Sequence, residues 1–235
     1  LAELAVARGY GTCWAWPIPD HETGTTRGCV VAWRRSDQVE ADHTRVLALD
    51  KVVRIAELAL DLERSVSALH HAATHDPLTG LGNRAQLAAE LDRAVGSVGL
   101  LSLDLDGFKP INDQLGHAAG DEVLVALAAR LRAVARPDDL VARIGGDEFA
   151  VIRHSPADVA ELDALAARLA AAVCEPIPVS AGGDLRVGVS IGGALGAPGC
   201  PPRDLLEAAD AALYERKGAG KGGWRVVAIG EHASR

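Results

Sequence analysis

The chain has 235 residues and a formal net charge of −8 at pH 7. That balance excludes bulk electrostatic binding to nucleic acid, while leaving room for a local basic pocket that holds a nucleotide. A hydrophobic content of 49% is enough for one or two small domains with real cores, yet no apolar run approaches the roughly 18 residues of a membrane span.

There is no methionine, so the chain is expected to be a piece of a longer product. It starts without a signal peptide, and these residues are expected in the cytoplasm, whatever anchor the longer product carries elsewhere. Cys13, Cys29, Cys174 and Cys200 form no CxxC pair and have no zinc-type histidine spacing. They read as free thiols; a Cys13–Cys29 contact across a hairpin is the alternative.

Two strand-like runs come first, Gly11 to Ile18 and Thr26 to Trp33, separated by the polar stretch Asp20 to Gly24. They predict an antiparallel hairpin. Ser36 and Asp37 offer N-caps, with Glu40 as the capping-box partner of Asp37. A long helix is expected to about Ala72, with Val46, Leu49, Val53, Leu60 and then Leu58, Leu62, Val66, Leu69 at helical spacing. Hairpin and helix together resemble the C-terminal half of a GAF sensory domain. The expected boundaries are 1–62 for this partial sensory segment, 63–75 for a helical linker and 76–235 for a second domain.

From Asp76 the pattern becomes α/β. Helices are predicted over Arg84–Val95 and Ala119–Val134, within Pro156–Cys174, and over Pro202–Lys217. Strands are predicted over Val98–Leu105, Leu140–Ile144, Phe149–Ile152, Arg186–Leu195 and Trp224–Ile229. A tight turn at Gly145-Gly146 joins the second and third of these. Glycine there tolerates positive φ and lets a ligand approach bare backbone. Asp147 and Glu148 follow at once, at the mouth of the hairpin. The strand from Val98 ends in Asp104 and Asp106, and burying a lone carboxylate is costly without a partner or a metal. If the two segments are neighbours, Asp104 and Asp147 converge on one point. Carboxylates placed so suit magnesium and a phosphate chain. Taken alone, the Gly-Gly segment reads equally well as a solvated acidic hairpin turn; the bland reading of Asp104 and Asp106 is that they only open the next loop.

Six stretches recur in order: His75-Asp76-Pro77-Leu78-Thr79-Gly80-Leu81-Gly82-Asn83-Arg84; Asp104 to Asp113; Gly116 to Asp121; Arg143 to Phe149; Val189-Ser190-Ile191-Gly192; and Ala209 to Lys217. At this spacing the chain resembles a GGDEF domain, the diguanylate cyclase family, over residues 76 to about 229. The resemblance implies an α+β fold, a mostly antiparallel central sheet flanked by helices, related to the polymerase palm and to adenylyl cyclases. It implies condensation of two GTP into cyclic di-GMP with release of two pyrophosphates, dependent on magnesium or manganese and carried out by a homodimer.

The resemblance also implies roles. Asp104 and Asp147, with the carbonyl of Leu105, match metal ligands. Glu148 matches the neighbouring acid, given either to a second metal or to proton removal. Gly145 and Gly146 admit the nucleotide. Phe108 and Lys109 offer backbone N–H groups to the terminal phosphates, and Lys217 matches a phosphate-binding lysine. Asn112 and Asp121 match guanine readers; without the family match, Asn112 reads as a loop residue and Asp121 as a helix N-cap. Arg136-Pro137-Asp138-Asp139 has the spacing of the RxxD product-inhibition site, with Arg136 and Asp139 as cyclic di-GMP ligands; the bland reading is a charged turn. Lys221 stands where an arginine is usual and loses the guanidinium fork. The alternative function is a catalytically weak module that binds GTP or cyclic di-GMP and regulates a neighbouring phosphodiesterase domain.

Overall fold

The computed structural model describes residues 10–20, 23–35, 43–180 and 182–229. The expected caps Ser36 and Asp37, with Glu40, lie outside the described residues. The chain divides into two compact units, Leu1–His70 and His71–Arg235.

In the first unit, β1 (Tyr10–Pro19) and β2 (Thr26–Arg35) form the expected antiparallel hairpin. Its register pairs Cys13 with Trp33 and Cys29 with Pro17, so the two thiols are not cross-strand neighbours, and all four cysteines are free. Helix α1 (His43–Thr74) follows and runs past the unit boundary. Arg27 fastens the hairpin to it through Asp61 at 2.5 Å, and Arg64 reaches back to Asp20 at 3.1 Å. No described helix is long and apolar enough to cross a membrane.

In the second unit, α2 (Arg84–Arg93) leads to β3 (Val98–Asp106), α3 (Phe108–Leu115) and α4 (His117–Val134). The hairpin β4 (Leu140–Gly145) and β5 (Glu148–His154) comes next, then α5 (Val159–Val173). A two-rung ribbon, β6 (Ile177–Pro178) and β7 (Asp184–Leu185), precedes β8 (Gly188–Gly196), α6 (Pro202–Gly218) and β9 (Gly223–Ala228). The five-stranded sheet has the order β4-β5-β3-β8-β9, antiparallel except for β8–β9. This is the mostly antiparallel α+β architecture expected.

β3 is central because it is apolar on both faces. Leu101, Leu103 and Leu105 pack with Phe149 and Val151 against α4 and α5, through Leu127 and Leu165 among others. Val98 and Leu100 pack with Ile152 against α2 and α6, through Leu91 and Leu205. Gly192 lets α6 lie directly on β8: a Cβ there would collide with the backbone of Ala209 and Leu213. The close seat of α6 brings its C-terminal end to the acidic end of β3.

One polar knot lies inside this apolar frame. Asp139, before β4, and Arg153, in β5, pair with side chains only 2% exposed each, at 2.6 Å. Arg153 also reaches Glu161 of α5 at 3.1 Å, and Arg132 of α4 donates to the Asp139 carbonyl at 3.0 Å. Three elements that share the apolar core are therefore also joined by polar contacts. Removing one member of a buried pair strands the other charge. Asp139→Ala is expected to cost about 3–5 kcal/mol, read as a lower urea midpoint at unchanged slope.

Candidate active site

The register of the sheet builds the site. Asp104 of β3 is the direct cross-strand partner of Glu148 of β5. Paired residues point to the same face, with Cβ atoms about 4.5–5.5 Å apart. Two like charges so placed repel unless a cation intervenes. Lys217, at the end of α6, supplies one: its Nζ lies 2.5 Å from Asp104 Oδ2.

Asp147 sits in the turn beside them. Its carbonyl accepts the Leu105 N–H at 3.2 Å, which fastens the turn to β3. Gly145 pairs with Glu148, so the two turn residues are Gly146 and Asp147 rather than the expected Gly145-Gly146. Both glycines have positive φ, 154° at Gly145 and 53° at Gly146.

Asn112 and Asp121 come from neighbouring helices. The segment after β3 is not a loop but the helix α3, and Asn112 lies within it. Its side-chain oxygen presses on Gly120, where any Cβ would collide with it, and the Phe108 ring packs on the same glycine. Asp121 is the next residue, exposed and inside α4. The N-cap of α4 is Gly116, so the reading of Asp121 as a cap falls. Lys109 is exposed in the first turn of α3, whose cap, Gly107, makes no side-chain hydrogen bond.

Several positioning residues carried no assigned role in the sequence reading. Ser190, fully buried, donates to Asp106 at 3.0 Å, and Asp106 also accepts the Gly222 N–H at 3.0 Å. Arg216 donates to the carbonyls of Gly222, at 2.5 Å, and Lys221, at 3.0 Å. Together they pin the loop that presents Lys221. A serine in a buried strand signals such a partner, because buried hydroxyls are rarely left unpaired. Arg143 donates to the Gly146 carbonyl at 2.9 and 3.0 Å and to Asp76 at 3.1 Å, clamping the turn to the loop before α2. In that loop Asn83 caps α2 and donates to the Ala73 carbonyl at 2.9 Å. His75 stacks on His71, ring centroids 4.0 Å apart.

A divalent cation suits this donor set. Among the described residues no three acids, histidines or cysteines close into a cage. Magnesium needs none: it keeps several waters and takes one or two carboxylates together with substrate phosphates. Asp104 and Asp147, flanking Leu105, offer hard oxygen donors of that kind, and the lysine drawn onto Asp104 marks uncompensated negative charge there.

The two residues expected to bind product are placed differently. Arg136 is 61% exposed and pairs with Glu161 at 2.9 Å. Asp139 is buried, with both carboxylate oxygens already accepting hydrogen bonds.

Fold and site thus define a mostly antiparallel α+β domain with acids gathered at one end of its central strand, and comparison with known proteins is more specific. The family profile "Diguanylate cyclase, GGDEF domain" matches residues 73–223. The chain belongs to that family. It is 40% identical over 178 residues to diguanylate cyclase TpbB of Pseudomonas aeruginosa, an alignment covering 72% of this chain and 41% of TpbB. The chain thus spans about two fifths of that relative. The bifunctional diguanylate cyclase/cyclic di-GMP phosphodiesterase MucR of the same species is 38% identical over 181 residues, 73% of this chain and 26% of MucR. The solved GGDEF domain of TpbB superposes with a TM-score of 0.61 at 42% identity, covering 65% of this chain and 93% of that one. The coiled coil and GGDEF domain of DgcB from Caulobacter crescentus, solved with c-di-GMP, gives 0.63 at 33% identity, covering 75% and 97%.

The clamp at Asp76 makes a pH prediction. Burial pushes this carboxyl up, but hydrogen bonds from the Thr79 hydroxyl and N–H, with the Arg143 guanidinium, outweigh it and hold the group below its usual 3.8. A carboxyl whose folded pKa lies below the unfolded one stabilises in full above the unfolded value and loses that stabilisation as pH falls through the folded value. The stability gap between wild type and Asp76→Asn is therefore expected to be constant from about pH 7 to 5 and to close below about pH 4. Urea titrations across that range would show it; a gap that widens with acid would refute the clamp.

Proposed function

We propose that the protein is a diguanylate cyclase that joins two GTP into cyclic di-GMP and releases two pyrophosphates. The observation that carries this reading is the Asp104–Glu148 pair, with Lys217 between sheet and solvent and Asn112 and Asp121 on the adjoining helices. Family membership and the named cyclases among its relatives support it.

In this reading a ribose 3′ hydroxyl attacks an α-phosphate in line, a reaction that needs positioning and charge neutralisation more than covalent chemistry. Asp104, Asp147 and the Leu105 carbonyl would hold magnesium, which would supply charge neutralisation to the phosphates and the attacking oxygen. Glu148 lies on the same sheet face and accepts the proton of the hydroxyl or completes a second metal site. Lys217 leaves Asp104 for a phosphate oxygen as the nucleotide enters. Backbone N–H groups at Phe108 and Lys109 meet the terminal phosphates, and Lys221 adds an exposed cation on its pinned loop. Asn112 accepts or donates at the guanine edge, and Asp121 accepts from its N–H groups. Gly145 and Gly146 leave space over the hairpin. Asp147→Ala and Asp104→Ala are expected to abolish cyclic di-GMP formation while circular dichroism stays native. Incubation with GTP and magnesium, with products read by mass spectrometry, tests the reading; product from Asp147→Ala, or turnover of ATP in preference to GTP, would sink it.

The product contains two nucleotides and each domain has one site, so two copies must face each other with two-fold symmetry. Helix α1 carries the seam for this. Val52, Ile55, Ala59, Leu62, Val66 and Leu69 recur at alternating spacings of three and four, with Ile55, Leu62, Val66 and Leu69 between 56% and 70% exposed. Val52, Ala59 and Val66 share one heptad position and Ile55, Leu62 and Leu69 the other; valine at the first with leucine or isoleucine at the second favours a two-stranded coiled coil. The proposed occupant of this face is the same helix of a second copy. Leu62→Lys is expected to shift the chain toward monomer by sedimentation equilibrium and to make the rate per enzyme fall more steeply on dilution. Equal dilution curves for variant and wild type would contradict the seam.

A further inference from the structure

Arg153 is the largest fully buried side chain among the described residues, and the proposed reaction does not use it. Its guanidinium grips Asp139 edge-on: Nε donates to Oδ1 at 2.7 Å and Nη2 to Oδ2 at 2.6 Å. The Arg136 backbone N–H adds a third donor, to Oδ2 at 2.7 Å. Two parallel N–H donors on one carboxylate make the forked arrangement in which arginine excels. The Watson–Crick edge of guanine presents the same pattern, N1–H beside N2–H. A single carboxylate cannot serve both forks.

We propose that Arg153 occupies the face of Asp139 that a guanine would use, so that the Arg136–Asp139 turn binds cyclic di-GMP weakly and the enzyme escapes product feedback at this turn. The neighbours reinforce the lock. Arg136, the other expected ligand, is turned onto Glu161 at 2.9 Å. Glu161 is in turn held by Arg153 at 3.1 Å and by the Ala157 N–H at 2.9 Å. The Ala157 N–H first, against an opposing effect of burial, then the Arg153 hydrogen bond and the Arg136 charge, keep its carboxyl below the usual range. A base reaching Asp139 would have to displace Arg153 from a position only 2% exposed, and among the described residues its other carboxylate partner is Glu161, which it already holds.

This inference rests on the cyclase reading only for the identity of the product, and its test needs no turnover. Cyclic di-GMP is titrated calorimetrically, without GTP, into the full chain as wild type, Arg136→Ala and Arg153→Met. Wild type is expected to bind too weakly to saturate near micromolar ligand, or to bind in a manner indifferent to Arg136→Ala. Arg153→Met frees the Asp139 oxygens and is expected to gain at least about tenfold in affinity, with a larger ligand-induced rise in thermal midpoint than wild type. Wild-type binding at or below roughly micromolar that Arg136→Ala removes overturns the proposal whatever the Arg153 variant does. So does a folded Arg153→Met with wild-type affinity. Should that variant not fold, wild type and Arg136→Ala decide. Failure of the cyclase reading itself appears elsewhere, as absence of product from GTP.

Discussion

The site depends on a main-chain constraint that places two negative charges side by side. Asp104 and Glu148 are cross-strand partners, and β3 is hydrogen-bonded on both sides. Neither strand can slide to separate the carboxylates without breaking a ladder whose side chains fill both cores. The fold therefore holds an electrostatic tension at one end of β3 and relieves it with a cation. In the structure that cation is Lys217. Its neighbours are arranged around the same need: α6 sits close because Gly192 has no side chain, and the turn with Asp147 is fastened to β3 through Leu105.

Much of this was legible beforehand, and the reasons are specific. The apolar run ending in Asp104 and Asp106 announced a strand with acids at its tip, because such residues are rarely buried without a partner. The hairpin, the helices after Asp76 and the family resemblance followed from spacing. Other features had no local signature. Strand order depends on contacts far apart in sequence. The helix α3 was missed although Phe108, Ile111 and Leu115 recur at helical spacing, since its eight residues hold a proline and sit between two glycines. The burial of Asp139 was invisible because its partner, Arg153, ends an apolar strand and reads as an ordinary solvent-facing charge.

Asp106 shows how a neighbouring acid can serve shape alone. It lies two residues beyond Asp104, yet it accepts from Ser190 and from the Gly222 N–H. With Arg216 it fixes the loop that carries Lys221. The substitution of lysine for the usual arginine thus occurs on a backbone held from both sides.

The outer edge of β4 carries a further consequence. Gly82, in the loop before α2, makes a bridge there: its N–H donates to Val141 at 3.1 Å and its carbonyl accepts from Arg143 at 2.8 Å. Exposed sheet edges are templates for unwanted strand addition. Here the polar groups at the middle of the edge are already spent on the chain's own loop. At high local concentration, copies of the domain would find no open ladder to extend on that side. A domain proposed to work in pairs can then be crowded together without its sheets fusing into an aggregate.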